Sequence, residues 1–139
     1  MKTVQSTDAY PPIGDYALIG DCRSAALVSR TGSIDWCCLP RFDAGSAFGR
    51  VLDWERGGHC SITPTGGDNW EFSRRYLEDT LVLETSLQGT SGSVRLLDCF
   101  TIHPDSEDTD ERQILRVIEG VRGSVELEIR VVPRFDYGE

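Results

Sequence analysis

Apolar residues recur along this chain mostly at every second position, and Gly, Pro, Asn and Asp interrupt them at short intervals. A period of two belongs to a strand whose successive side chains point to opposite faces, so the pattern predicts an all-β, antiparallel protein. The clearest run is 124–132, where Val125, Leu127, Ile129 and Val131 alternate with Glu126, Glu128 and Arg130, giving one dry face and one wet one. Runs 80–87, 93–100 and 113–119 are similarly rich in Leu, Val and Ile, and the first two are joined by the hairpin sequence Gln88-Gly89-Thr90-Ser91-Gly92. Gly120-Val121-Arg122-Gly123 reads as another tight reversal, because its glycines tolerate positive φ, and this makes 113–119 and 124–132 a third hairpin.

Upstream, 16–20, 25–29 and 33–38 read as strands, the last two linked through Arg30-Thr31-Gly32. Residues 46–54 are the one stretch with helical spacing, since Phe48, Val51 and Leu52 fall at i, i+3 and i+4 and predict a short helix. Runs 57–63 and 69–78 complete about eight or nine strands at the spacing of a sandwich or barrel. The expected organisation is a flexible tail over 1–10 and a single β-sandwich domain over 11–139. The chain closes on Tyr137-Gly138-Glu139 just after its best strand, which would leave an unpaired edge, so a continuing polypeptide or an oligomer partner is expected to cover it.

Composition agrees with a folded domain: 139 residues, 39% hydrophobic and 27% charged. A chain of this size buries roughly 68–70% of its unfolded surface and needs no disulfide staples. Fourteen Lys and Arg against 23 Asp and Glu leave a net charge of −9, which repels a phosphate backbone, so no nucleic-acid partner is expected. No stretch of about eighteen uncharged apolar residues predicts a membrane span, and residues 1–10 lack the apolar core of a signal peptide, so the expected location is cytoplasmic. The five cysteines, Cys22, Cys37, Cys38, Cys60 and Cys99, are an odd number and read as free, mostly buried thiols.

The search for chemistry yields little. Zinc wants two closely spaced ligand pairs, whereas adjacent Cys37 and Cys38 point to opposite faces of a strand and His59-Cys60 stands alone; no metal and no cofactor are expected. The acidic run 103–112, with Asp105, Glu107, Asp108, Asp110 and Glu111, lacks the glycine and ligand spacing of a calcium loop and reads as a polar loop. His59 and His103 sit in no familiar nucleophile setting. Gly57-Gly58 and Gly66-Gly67 lack the Gly-Lys-Ser/Thr that follows in a phosphate cradle and read as turns. Asp35, Asp43, Asp53, Glu55 and Asp98 lie in or near apolar segments, yet nothing in their spacing favours the acid–base pair of glycoside hydrolysis. One segment concentrates site-like side chains: Trp36, Pro40, Arg41, Phe42 and Asp43, whose rings offer stacking surface and whose charges can satisfy hydroxyls. Its structural alternative puts Trp36 and Phe42 in the core and pairs Arg41 with Asp43 or Asp35. Pro40-Arg41-Phe42-Asp43-Ala44-Gly45 is echoed by Pro133-Arg134-Phe135-Asp136-Tyr137-Gly138, a single echo too short to indicate duplication.

Several phrases taken in order resemble the opening of bacterial glycoside hydrolase family 15 proteins, the glucoamylase and trehalase-like enzymes. They are Ile13-Gly14-Asp15-Tyr16-Ala17-Leu18-Ile19-Gly20-Asp21, Ala25-Ala26-Leu27-Val28-Ser29, Gly32-Ser33-Ile34-Asp35-Trp36, Leu39-Pro40-Arg41-Phe42-Asp43 and Phe48 through Asp53, then Tyr76 through Thr85, Leu97-Asp98-Cys99-Phe100 and Pro133 through Gly138. The resemblance covers nearly the whole chain from about Tyr10. It implies an antiparallel β-sandwich of the supersandwich type, truncated here, that precedes a helical (α/α)6 barrel carrying both catalytic glutamates and hydrolysing terminal α-glucosidic bonds with inversion. It implies no catalytic residue in this chain, and it makes Trp36, Pro40, Arg41, Phe42 and Asp43 candidates for lining the substrate pocket or the domain interface. The implied partners are that barrel within the same polypeptide and, through it, an α-glucoside. Cys37 and Ala44-Gly45 depart from the family's usual apolar residue and Ser-Pro. The alternatives are a carbohydrate-binding sandwich presenting Trp36, Trp54 or Trp70, and a structural sandwich that pairs with a second copy through its open edge.

Overall fold

A computed structural model describes residues 10–102 and 110–138. Among these, the alternating runs form ten strands: β1 (Ala17–Gly20), β2 (Ala25–Val28), β3 (Ile34–Cys38), β4 (Ser46–Phe48), β5 (His59–Pro64), β6 (Glu71–Tyr76), β7 (Leu83–Gln88), β8 (Gly92–Phe100), β9 (Ile114–Gly123) and β10 (Leu127–Val132). Every pairing is antiparallel. One sheet has the order β1-β2-β3-β5-β10 with β4 added on β3, and the other is the meander β6-β7-β8-β9. The fold is therefore an all-β sandwich.

The core lies between the sheets because each strand turns one set of alternate side chains inward. On β8 the inward set is Val94, Leu96, Asp98 and Phe100, all buried, while Arg95, Leu97 and Cys99 lie half exposed on the outer face. Ile19, Val28, Ile34, Leu83 and Phe100 form one apolar cluster and Ile62, Leu87, Val94 and Leu96 a second.

The two flanks of the sandwich differ. Where β1 meets β6, Tyr76 Oη donates to the Leu18 carbonyl at 2.7 Å and accepts the Leu18 N–H at 3.1 Å, and Arg74 donates to the carbonyls of Asp15 and Val28. These side chains satisfy the edge groups of β1 and hold that flank shut. Where β10 meets β9 the sheets part around an apolar groove of about 470 Å³, lined by Ile114, Ile118, Ile129 and Val131 among others. The dry face of β10 thus points where its alternation places it, yet Ile129 remains 57% exposed and Val131 61% exposed.

Two sequence expectations are corrected. Residues 46–54 form no helix: Ser46–Phe48 is a strand, with Cys37 opposite Phe48 and Cys38 opposite Ser46, and the following residues turn. Three apolar residues on one stripe do not outweigh the cost of nucleating a helix, and one of them, Leu52, faces solvent. Gly49 instead donates its N–H to the Gly57 carbonyl at 2.6 Å, closing the segment into a loop folded over the sheet. The third hairpin also fails. β9 runs on through Gly123, and β10 crosses to the other sheet to pair with β5 rather than β9. Gly123 does adopt positive φ, but it serves a close approach of β9 to β8, since a Cβ there would lie 2.2 Å from the Ser91 carbonyl.

The expected tail over 1–10 and the acidic loop over 103–112 fall largely outside the described residues. Tyr10 is the exception in the tail: its ring meets Trp54 edge-on at 5.5 Å and its hydroxyl accepts the Trp54 backbone N–H.

Candidate functional site

The segment singled out by sequence sits at the end of β3. Trp36 is half buried within the strand, opposite Leu27 of β2. Beyond it the Leu39–Pro40 peptide is cis, and the chain turns into Arg41, Phe42 and Asp43. Arg41 clamps Asp43 with two hydrogen bonds, Nε to Oδ1 at 3.0 Å and Nη2 to Oδ2 at 2.9 Å, on the open surface. Phe42 is 53% exposed, so its ring is no part of the core.

The echo segment lies beside this one. Arg134 donates its N–H to the Ala47 carbonyl at 3.0 Å, and Tyr137 donates its own to Ser46 Oγ at 2.7 Å, docking Phe135–Gly138, a kinked turn, on β4. The Tyr137 hydroxyl lies 3.7 Å from Cys38 Sγ, near the Trp36 indole. Gly45 and Asp136 touch so closely that a Cβ on the glycine would overlap the carboxylate. Both Pro-Arg-Phe-Asp phrases therefore share one face, which presents Phe42, Phe135 and Tyr137 to solvent between exposed charges. Asp136 and Tyr137 hold left-handed backbone, with φ of 49° and 61°, a conformation non-glycine residues adopt at a cost.

Four of the five candidate carboxylates, all but Glu55, are committed to partners. Asp98 is buried on β8 against Arg116. Asp35, on β3, accepts hydrogen bonds from Tyr16 Oη at 2.8 Å and Ser33 Oγ at 2.5 Å. Burial first, then that bond to Asp35, pushes the Tyr16 phenol well above its ordinary value. Asp53 takes the backbone N–H groups of Glu55 and Arg56 and the Arg56 guanidinium, and these bonds, Arg56 foremost, hold its carboxyl low. Glu55 follows it in the same exposed turn.

A second cluster escaped the sequence reading. Asp35, Arg50, Trp54, His59, Glu128 and Arg130 converge on the outer face of the larger sheet. They come from β3, the 49–57 loop, β5 and β10, so no local motif joins them. The signal was present in the wet face of β10 and in the glycines at either end of the loop. A Cβ on Gly57 would lie 2.3 Å from the Gly49 carbonyl, so only glycine allows the backbones to meet and the loop to bring Arg50 over Asp35.

Comparison with known proteins places the chain. The family model described as "Trehalase-like, N-terminal" matches residues 2–139. The chain belongs to the trehalase-like N-terminal family. A trehalase from Mycolicibacterium smegmatis is 36% identical over 92% of this chain, and one from Mycobacterium tuberculosis is equally similar over the same share. A trehalase from Thermoplasma volcanium is 32% identical over 96% of it. The matched region is 21%, 21% and 22% of those proteins, so this trehalase-like domain spans about a fifth of the length of the curated relatives it matches. No solved structure matches the chain.

Proposed function

We propose that this domain is the accessory amino-terminal part of a longer family 15 glycoside hydrolase that cleaves an α-glucosidic bond with inversion, trehalose first among its substrates and glucoamylase-type substrates second. The observation that carries this reading is the short span of the chain against its trehalase relatives, combined with the commitment of Asp35, Asp43, Asp53 and Asp98 to structural partners. Inversion needs one protonated and one ionised carboxyl about 6.5–9.5 Å apart across the scissile bond. In this reading a helical barrel of the same polypeptide supplies both, and the sandwich performs no chemistry alone.

Two surfaces suit the partnership. The face built from Trp36, Pro40, Arg41, Phe42 and Asp43 with its echo offers exposed rings and a rigid charge pair to the barrel or to the mouth of its pocket. The apolar groove between β9 and β10 is the seat for further segments of the same polypeptide, because burying the side chains left open there would contribute about 1.5–3 kcal/mol apiece. All five cysteines are free thiols, which supports a reducing compartment, and we place the enzyme in the cytoplasm.

Replacing Trp36 and Arg41 by Ala in the polypeptide extended through its downstream coding sequence tests the role of the face. The expected result is a fall in kcat/KM for trehalose of about tenfold or more with the fold retained, as misplacement of a pocket wall produces. Unchanged kcat and KM would refute the assignment of these residues.

A further inference from the structure

The outer face of the larger sheet carries a cleft of about 250 Å³ that the docking surfaces do not use. Its floor is Asp35, 1% exposed and held in place by Tyr16 and Ser33. Its roof is the 49–57 loop, which sets the Arg50 guanidinium over the Trp54 indole with Cζ 4.0 Å from the ring centroid. Its far wall is the wet face of β10, Glu128 and Arg130, and five Ser or Thr side chains fill the remainder.

The bonding inside this cleft is incomplete. Arg50 Nη1 lies 3.9 Å from Asp35 Oδ1, an ion-pair distance but too long for a hydrogen bond. Arg50 Nε is buried and makes no hydrogen bond at all. A buried guanidinium N–H without an acceptor is costly, and a hydroxyl that donates to Asp35 Oδ1 and accepts from Arg50 Nη1 fits the 3.9 Å between those two atoms. Tyr10 and Arg50 both pack on Trp54, so the indole serves to position Arg50 and is no open stacking platform.

Charge decides the class of ligand. Asp35 and Glu128 are balanced by Arg50 and Arg130, and His59 is kept towards its neutral form, first by burial and then by Arg50. A site with no net charge and walls of hydroxyls gives little to an anion. It gives little to a divalent cation either, since among the described residues no three His, Cys, Asp or Glu side chains converge on one point. The small volume admits one ring rather than an oligomer.

We propose that this cleft binds a single neutral polyhydroxylated ring of monosaccharide class, with Asp35 and Arg50 sharing one hydroxyl and Glu128 taking another. The site shares no lining residue with the face of Trp36, Arg41, Phe42 and Asp43, and the proposal stands whether or not the longer enzyme is a trehalase.

Amide NMR spectra of the 139-residue chain, titrated with D-glucose, D-galactose and D-mannose and in parallel with sodium sulfate, test it. The expected result is saturable shifts for at least one sugar at residues 33–35, 50–54 and 59–61, with the dissociation constant about tenfold weaker in Arg50→Lys and in Glu128→Gln. Glu128 is exposed on a strand, so its variant remains informative even if Arg50→Lys disturbs the loop. Absence of saturable shifts with all three sugars, shifts insensitive to both substitutions, or stronger binding of sulfate would each overturn the proposal.

Discussion

Arg116 and Asp98 stand opposite each other on β9 and β8 inside the sandwich, with Nε 2.7 Å from Oδ1 and Nη2 3.1 Å from Oδ2. The same guanidinium donates across the interior to the carbonyls of Cys60 on β5 and Gly32 in the β2–β3 turn, so one side chain ties both layers. Asp98 is fully buried and Arg116 nearly so. Arg116→Met leaves the carboxylate unpaired in the interior and is expected to cost about 3–5 kcal/mol, measured by urea unfolding. Combining it with Asp98→Leu removes the orphaned charge and is expected to recover most of that loss. A single variant as stable as the parent would contradict this account of the interior.

The open groove predicts a contrast between two apolar residues. Leu96→Ala, at the fully buried centre of β8, is expected to destabilise the chain by about 2–5 kcal/mol. Ile129→Ser, on the uncovered face of β10, is expected to stay within about 0.5 kcal/mol in this chain and, if further polypeptide fills the groove as proposed, to cost clearly more in the extended polypeptide. Equal effects of Ile129→Ser in both lengths would show that nothing further packs on β10.

His59 gives the pH dependence a sign. Burial, followed by Arg50 and Arg130, lowers its native pKa, and Asp35 opposes them only in part. The unfolded chain then holds the proton more tightly than the folded one. His59 therefore contributes stability that is full above its ordinary value near 6.5 and is lost as pH falls below it towards the lowered native value. Thermal melts from pH 7.5 to 5 should show stability declining on the acid side, with a shallower decline in His59→Gln. Identical slopes would exclude this contribution.

The cysteines should separate by reactivity. Cys37 and Cys38 are buried, and burial pushes the Cys37 thiol up to about 12, whereas Cys22 lies exposed in a loop. A thiol reagent at pH 8 should modify Cys22 first, Cys60 and Cys99 more slowly, and Cys37 and Cys38 only on unfolding. Peptide mapping after brief labelling checks the order, and early modification of Cys37 would contradict the packing of β3.

Strand positions were legible because side-chain alternation is a local property: β1, β2, β3 and β10 lie within the runs that the pattern marked. The partner of a strand is not local. The glycines at 120 and 123 carry the same signature whether they reverse the chain or let two strands approach, so nothing nearby told β10 to leave β9 for β5. The stripe formed by Phe48, Val51 and Leu52 misled for a similar reason, since the Gly49–Gly57 contact that decides the loop spans eight positions of sequence. The Trp36 to Asp43 segment was visible as a concentration of rings and charges, but its junction with Tyr137 was not. The cleft was least visible, because Asp35, Arg50, His59 and Glu128 meet only after the sheet has formed.

Glucose release from trehalose, measured for this chain alone and for the polypeptide extended through its downstream coding sequence, tests the central claim most directly. The account predicts no release by the 139-residue chain and sustained release by the longer one. Turnover by the short chain would contradict it.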